Sequence, residues 1–341
     1  MPNRRPPPPW AWLAGIVVTA GLLWWVLHDV EWAVAIDHVR RADILLLTAT
    51  VIVATATFLL RALRWRVMLR DQAGARLPLR PLWDAVAVGF MANNLLPARA
   101  GEFARAWVAG REASVRVSTA LASIVVERMF DAIAILALMT LALIAPSFPT
   151  GAEIGGVSVQ RVAVTVGAIF GGALLLSVVV VLRPEPWIAL VRAASGRLLP
   201  ARFAEKVVSV AQGMVDGLAV LRTPARVAGV LAWSFFLWSV NAASFWLAAR
   251  AFHLAVPPEA ILLLQGLLAL GVAIPAAPGF FGVFEAVTIV ALGFYGVPKD
   301  HAVSYAVAYH ITTFIPITVL GLQALARLGV RFRDLRESSA S

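Results

Sequence analysis

Long apolar runs separated by short polar segments make up almost the whole chain. The runs 10–27, 44–60, 117–145, 162–182, 227–249 and 302–325 each reach the ~17 residues that the shortest membrane-spanning helix needs, and they predict six full spans. Two further apolar stretches break that rhythm. Residues 81–96 are apolar but too short to cross comfortably, and 250–300 contains two pieces, 260–274 and 280–296, interrupted by the sequence PAAPG. Segment 183–226 departs from both patterns: its apolar positions, such as Trp187, Leu190, Val191, Leu198 and Leu199, are spaced among charges. It predicts one or two amphipathic helices lying on the cytoplasmic surface.

Charge fixes how these segments are threaded. Residues 61–80 carry six arginines against one aspartate, whereas 28–43 carries four acids against two arginines. Positive loops stay in the cytoplasm, so 61–80 is expected to be an inner loop and 28–43 an outer one. The region after 96 is basic again through Arg99, Arg105, Arg111 and Arg116, so the 81–96 segment enters and returns from the inner side. The last span must end inside, because Arg327, Arg331, Arg333 and Arg336 follow it. Residues 250–300 must then start and finish outside, as a second re-entrant hairpin from the opposite face. The expected fold is an all-α polytopic membrane protein: six full transmembrane helices, two opposed re-entrant helical hairpins in an inverted-repeat-like arrangement, and both termini cytoplasmic. Residues 1–9 are expected to form a disordered Pro-rich tail, 10–326 a single transmembrane domain with the 183–226 insert, and 327–341 a basic cytoplasmic tail.

Composition narrows the chemistry. The chain is 60% hydrophobic and 14% charged, against about 25% charged in soluble domains, and its mean hydropathy is +0.83. The net charge of +10 is spread over inter-span segments, so nucleic acid is not the expected partner. With no cysteine and five scattered histidines, no metal site is expected; neither a nucleophile elbow nor a P-loop occurs, and no cofactor is expected.

The two interrupted segments resemble each other, LLPARAGEFARA in one half and IPAAPGFFGVFEA in the other. Paired broken helices in corresponding places point to a transporter's central site, where loose backbone groups and helix ends meet a ligand. In the first, Asn94 precedes a turn at Pro97, and a new helix starts near Gly101. Arg99 then stands beside a helix N-terminus already suited to an anion, with Arg105 further along and Glu102 placed to pair with it at i+3. Arg111 and Arg116 read as ordinary inner-loop arginines. In the second, Pro278, Gly279 and Gly282 permit a sharp reversal, and Glu285 begins the return helix; Arg105 or Arg128 is its expected partner. His310 and Tyr309 read as satisfied core groups.

Glu127, Arg128 and Asp131 lie about ten residues into a predicted span, roughly 15 Å along its axis, near the midplane. Uncompensated, each ion costs about 2.5–3.5 kcal/mol there. They must face protein or water, and their i, i+3 and i+4 spacing lets them neutralise one another in part. Removing Arg128 is expected to strand two acids.

The motifs NNLLPARAGEFARA, VVERMFD and PGFFGVFEA, in this order and spacing, resemble the lysylphosphatidylglycerol synthase transmembrane-domain family of flippase-like proteins. The resemblance covers nearly the whole chain and implies site positions at Asn94, Pro97, Arg99, Gly101, Glu102, Arg105, Glu127, Arg128, Asp131, Pro278, Gly279, Gly282 and Glu285. Bifunctional members add a soluble aminoacyl-transferase domain after this region. This chain is expected to be a stand-alone member lacking it, so aminoacylation is not carried over. Phe280 departs from the small residue common at that place. The resemblance implies a translocase that is not an enzyme, in a bacterial-type cytoplasmic membrane. Its cargo would be an anionic or aminoacylated phospholipid, or a polyprenyl-phosphate-type lipid; a homodimer is compatible with it. The alternatives are a membrane enzyme acting on a lipid-linked substrate, with Glu127 and Asp131 as paired carboxylates, and an accessory subunit.

Overall fold

The computed structural model describes residues 9–70, 75–96, 100–148, 153–154, 156–218, 221, 223–272 and 277–329. Pro97, Arg99, the first eight residues and the tail from 330 lie outside these. Apart from connecting segments, the described residues are helical, with one small antiparallel ladder, Glu153–Ile154 with Val157–Ser158, and an isolated bridge between Arg70 and Arg76. In order the helices are α1 Pro9–Leu27, α2 Trp32–Arg41, α3 Ile44–Met68, α4 Leu79–Leu95, α5 Ala100–Glu112, α6 Val117–Leu143 and α7 Val159–Leu182. They continue with α8 Pro184–Leu198, α9 Ala201–Gly217, α10 Pro224–Ala251, α11 Pro258–Gly271, α12 Val283–Gly293 and α13 Lys299–Arg327.

The bundle is built inside out. Along α3 the buried residues include Thr50, Ala54, Thr57, Arg61 and Arg64, one face of a helix, while Ile44, Leu45, Ile52 and Leu59 are exposed. On α13 the exposed stripe is Ile311, Ile315, Val319 and Leu322, while Ser304, Tyr305, Tyr309 and His310 are buried. Apolar faces outward and polar groups inward suit a hydrocarbon solvent, where every polar group must find a protein partner. Among the described residues three helices, α3, α10 and α13, are long and apolar enough to cross a membrane, and a fourth is added if Val17–Leu27 of α1 and α2, bent by 86°, count as one span. The 27-residue α6 carries Glu127, Arg128 and Asp131 in its middle.

Each predicted interrupted segment is an antiparallel helical hairpin. In the first, α4 and α5 approach so closely that a Cβ on Gly101 would overlap the Gly89 carbonyl oxygen and the Asn93 side chain. The Gly101 N–H donates to Asn93 Oδ1 at 2.9 Å, closing the tip. In the second, Gly271 of α11 faces Val283 and Val287 of α12. Its tip passes through a 3-10 turn, Pro278–Phe280, where Gly279, Phe280 and Gly282 have φ of 76°, 60° and 82°. This left-handed region suits the two glycines and strains Phe280.

Two apolar cores place the hairpins at opposite ends of the bundle. The first combines α4 and α5 with Ala120–Phe130 of α6 and with Ile317, Ala324 and Leu325 of α13. The second combines α11 and α12 with Met139 and Ala142 of α6 and with Ala302, Tyr305 and Tyr309 of α13. α6 and α13 run in opposite senses through these two cores, each meeting one hairpin at either end. The 183–226 insert forms α8 and α9, and α9 seats Gly213 against Ser118 at the start of α6.

One expectation fails at its boundary. Residues 61–68, read as the start of an inner loop, continue α3, and Arg61 and Arg64 are 6% and 0% exposed. Their charge is consumed inside the protein, and a count of loop arginines cannot distinguish a buried, paired guanidinium from a solvated one.

Candidate functional site

A buried cluster of ions is set within the first core, among Ala62, Trp65, Ala104, Val126 and Phe130. Asp43 caps α3, accepting from the amides of Leu45 and Leu46 at 2.8 and 3.1 Å; about five to six turns later the helix presents Arg61 and Arg64 toward α6. Arg64 forks onto Asp131, with Nη1 against Oδ1 and Nη2 on Oδ2 at 3.2 Å, and donates to Ser234 Oγ of α10 at 2.7 Å. It also reaches Glu127 at 3.2 Å. Arg105 of α5 grips Glu127 bidentately, both bonds 2.9 Å, the geometry that makes guanidinium–carboxylate pairs strong. Its guanidinium lies 3.9 Å from the Trp65 ring centroid, whose Nε1–H donates to Ser123 Oγ at 2.9 Å. Trp238 Nε1–H donates to Asp131 at 2.8 Å.

The predicted trio is therefore neutralised mainly from elsewhere. Arg128 bonds Glu127 at 2.9 Å and stands 3.7 Å from Asp131, but its side chain is 36% exposed. Arg64 and Arg105 serve the two acids even without it, so the expectation that removing Arg128 strands them is corrected. Glu102 sits 3.8 Å from Arg128 rather than pairing with Arg105, because Arg105 is turned toward Glu127. Glu285 meets neither Arg105 nor Arg128. One of its oxygens accepts from the Gly282 amide at 2.7 Å, capping α12, and the other lies 2.7 Å from His310 Nδ1. Sequence reasoning missed Arg61, Arg64 and His310. The signal for the arginines was their i, i+3 spacing on an apolar helix face, which resembled the spacing of the acids on α6.

Arg61 is the exception within the cluster. Its nearest carboxylate contact is 3.8 Å, to Asp131, and its Nε and Nη1 are buried without a hydrogen-bond partner among the described residues. The guanidinium sits between the rings of Trp238 and Phe90, 4.9 and 5.3 Å from their centroids, and lines a cavity of about 220 Å³. Both hairpins contribute to that cavity: Asn94 from the tip of the first, Gly279 and Phe280 from the tip of the second. Asn94 also ties its tip to α13, donating to Thr318 Oγ1 at 2.8 Å. Among the described residues of the cluster, four guanidiniums, Arg61, Arg64, Arg105 and Arg128, face three carboxylates, Glu102, Glu127 and Asp131. One positive charge is left over, and the under-bonded arginine lies on the cavity side.

An inside-out helical bundle with buried ions beside a cavity lined by both hairpins defines a multi-pass membrane protein. The chain belongs to the family described as the lysylphosphatidylglycerol synthase TM region, whose profile matches residues 12–321. It is also 26% identical over 351 residues to a Haloferax volcanii protein named glycosyltransferase AglD, a match covering 96% of this chain. The chain spans 56% of that relative's length.

Proposed function

We propose that this protein is a lipid translocase that carries an anionic phosphate headgroup between leaflets through the cavity between its two hairpins. The observation that carries this reading is Arg61, a buried guanidinium with free donors at the wall of a cavity whose surroundings hold surplus positive charge. A phosphate entering there gains charge-assisted hydrogen bonds that the protein itself leaves unmade. The cargo class is an anionic or aminoacylated phospholipid or a polyprenyl-phosphate-type lipid, its acyl or prenyl tails remaining in the bilayer. In this reading the hairpins are re-entrant from opposite faces of a bacterial-type cytoplasmic membrane, six helices span it and both termini are cytoplasmic; a homodimer fits the same arrangement. Differential affinity between inward and outward states can only redistribute the lipid, so net movement draws on a gradient or a sink.

The test is leaflet exchange of anionic lipids in liposomes holding the purified protein. A hydrogen bond to a charged group is worth about 1.5–3 kcal/mol, so Arg61→Gln is expected to slow exchange about ten- to a hundredfold. Exchange at the wild-type rate in the folded variant would overturn the role of Arg61.

A second reading, an enzyme acting on a lipid-linked substrate, is favoured by the name of the Haloferax relative. The paired carboxylates offered for such chemistry are already engaged, Glu127 by three guanidiniums and Asp131 by Arg64 and Trp238. A chemically altered lipid recovered after incubation with the protein would decide for this reading.

A further inference from the structure

At the tip of the second hairpin, His310 and Glu285 are 8% and 3% exposed and share one hydrogen bond whose proton is not supplied by any other group. His310 Nε2 lies 2.9 Å from the Gly279 carbonyl oxygen. A carbonyl only accepts, so Nε2 must carry a proton. His310 Nδ1 is 2.7 Å from Glu285 Oε1, and a contact of that length needs a second proton between the two atoms. That proton sits on Nδ1 beside a carboxylate, or on Oε1 beside a neutral imidazole; in both cases the pair as a whole is neutral. Without it, two lone pairs would face each other at hydrogen-bond distance in a site shielded from water.

The same two side chains hold the tip. His310 grips Gly279 through its carbonyl, and Glu285 grips Gly282 through its amide. Gly279, Phe280 and Gly282 are left-handed, which costs the two glycines little but disfavours Phe280, and these hydrogen bonds help to hold it there. Among the described residues few other polar groups meet the pair. Phe281 and Phe284 stack on the imidazole, each with its centroid 4.5 Å away, and Phe314 lies edge-on at 6.3 Å. On α13 itself Tyr309 is taken up by Ser244 of α10 at 2.7 Å. From α1, Thr19 Oγ1 accepts from the Ala277 amide at 2.9 Å. Across the cavity that His310 lines stand Arg61 of α3, Asn94 of α4 and Asn241 of α10, of which only Arg61 is charged.

We propose that His310 and Glu285 form a proton-binding site that latches the tip of the second hairpin over the cavity. With one proton bound the latch is closed. When the pair gives that proton to water through the cavity, the lone pairs of His310 Nδ1 and Glu285 Oε1 are left facing each other; the two side chains part, α12 draws away from α13, the grip of His310 on Gly279 goes with it and the cavity opens. Opening is coupled to release of one proton, so it is favoured as pH rises. One-proton linkage limits the gain to about tenfold in the opening equilibrium per pH unit. The latch is independent of which lipid, if any, the cavity carries.

Because the chain contains no cysteine, Thr313→Cys places a single thiol on the cavity wall. Its rate of reaction with a small methanethiosulfonate, divided at each pH by the rate of the same thiol in SDS-unfolded protein, reads cavity access without any transport assay. In the wild-type background this ratio is expected to rise with pH, approaching tenfold per unit where the proton leaves. In Glu285→Gln the amide can donate to a neutral His310 and still accept from Gly282, so all three bonds survive without the extra proton; the ratio is expected to stay low and flat. In His310→Phe it is expected to stay high and flat. A wild-type ratio that does not change with pH, or a Glu285→Gln profile that follows the wild type, would overturn the latch. Should His310→Phe fail to fold, the contrast between wild type and Glu285→Gln suffices to support or overturn it.

Discussion

Replacing Arg64 by Met tests the ion cluster most directly. Arg64 is fully buried and supplies two contacts to Asp131, one to Ser234 and one to Glu127. Removing one partner of a buried pair costs about 3–5 kcal/mol, because the abandoned charge stays in a medium that cannot solvate it. Asp131 would keep the Trp238 bond at 2.8 Å and the looser guanidiniums of Arg128 and Arg61 at 3.7 and 3.8 Å, which puts the expectation near the lower end, about 3 kcal/mol. The assay is reversible unfolding in mixed micelles of Arg64→Met, Asp131→Leu and the double variant. Two charges that answer each other should not add: the double variant is expected to be more stable than the sum of the singles predicts, by about 0.5–3 kcal/mol. A single variant within about 0.5 kcal/mol of wild type, as surface substitutions are, would refute the buried pairing and restore the reading of Arg64 as a loop residue. Strict additivity in the double variant would do the same.

Three further outcomes follow from the same geometry. Arg128→Ala is expected to cost less stability than Arg64→Met in the same unfolding assay, since its side chain is 36% exposed and both acids keep other guanidiniums; an equal or larger loss would return Arg128 to the central place. Gly101→Ala must push α4 from α5, where a Cβ would overlap the Gly89 carbonyl, and overpacking of this kind costs about 1–3 kcal/mol; unchanged thermal stability would show that the hairpin is looser than described. Ser123→Ala leaves the Trp65 indole N–H buried without its acceptor, a loss of about 1–3 kcal/mol with weaker support for Arg105 stacked on that ring, readable by thermal unfolding and by tryptophan fluorescence.

The sequence by itself determined the class of the molecule and much of its skeleton. Apolar run lengths placed α1, α3, α6, α7, α10 and α13 within a few residues of their observed bounds except at the end of α3, because helix length in a bilayer is set by a local property, the summed transfer free energy of consecutive side chains. Broken patterns at Pro97–Gly101 and Pro278–Gly282 marked the two hairpins for a similarly local reason: proline and glycine change what the backbone can do wherever they stand. The cost of ions in α6 required Glu127, Arg128 and Asp131 to face protein or water before any partner was known.

Only the tertiary structure decided who neutralises whom. Arg64 and Asp131 are 67 residues apart, Arg105 and Glu127 are 22 apart, and Glu285 and His310 are 25 apart. Positive-inside counting assigned Arg61 and Arg64 to solvent because it weighs a charge by its neighbours in sequence, whereas electrostatic energy depends on distance in space and on local solvation. For Glu285 the same limit acted in reverse: arginines were the partners most abundant in sequence, but a histidine on α13 was the group that packing brought within reach. Which ions are paired, and that Arg61 keeps donors free beside a cavity, are properties of how α3, α6, α10 and the two hairpins meet, and no segment carries them on its own.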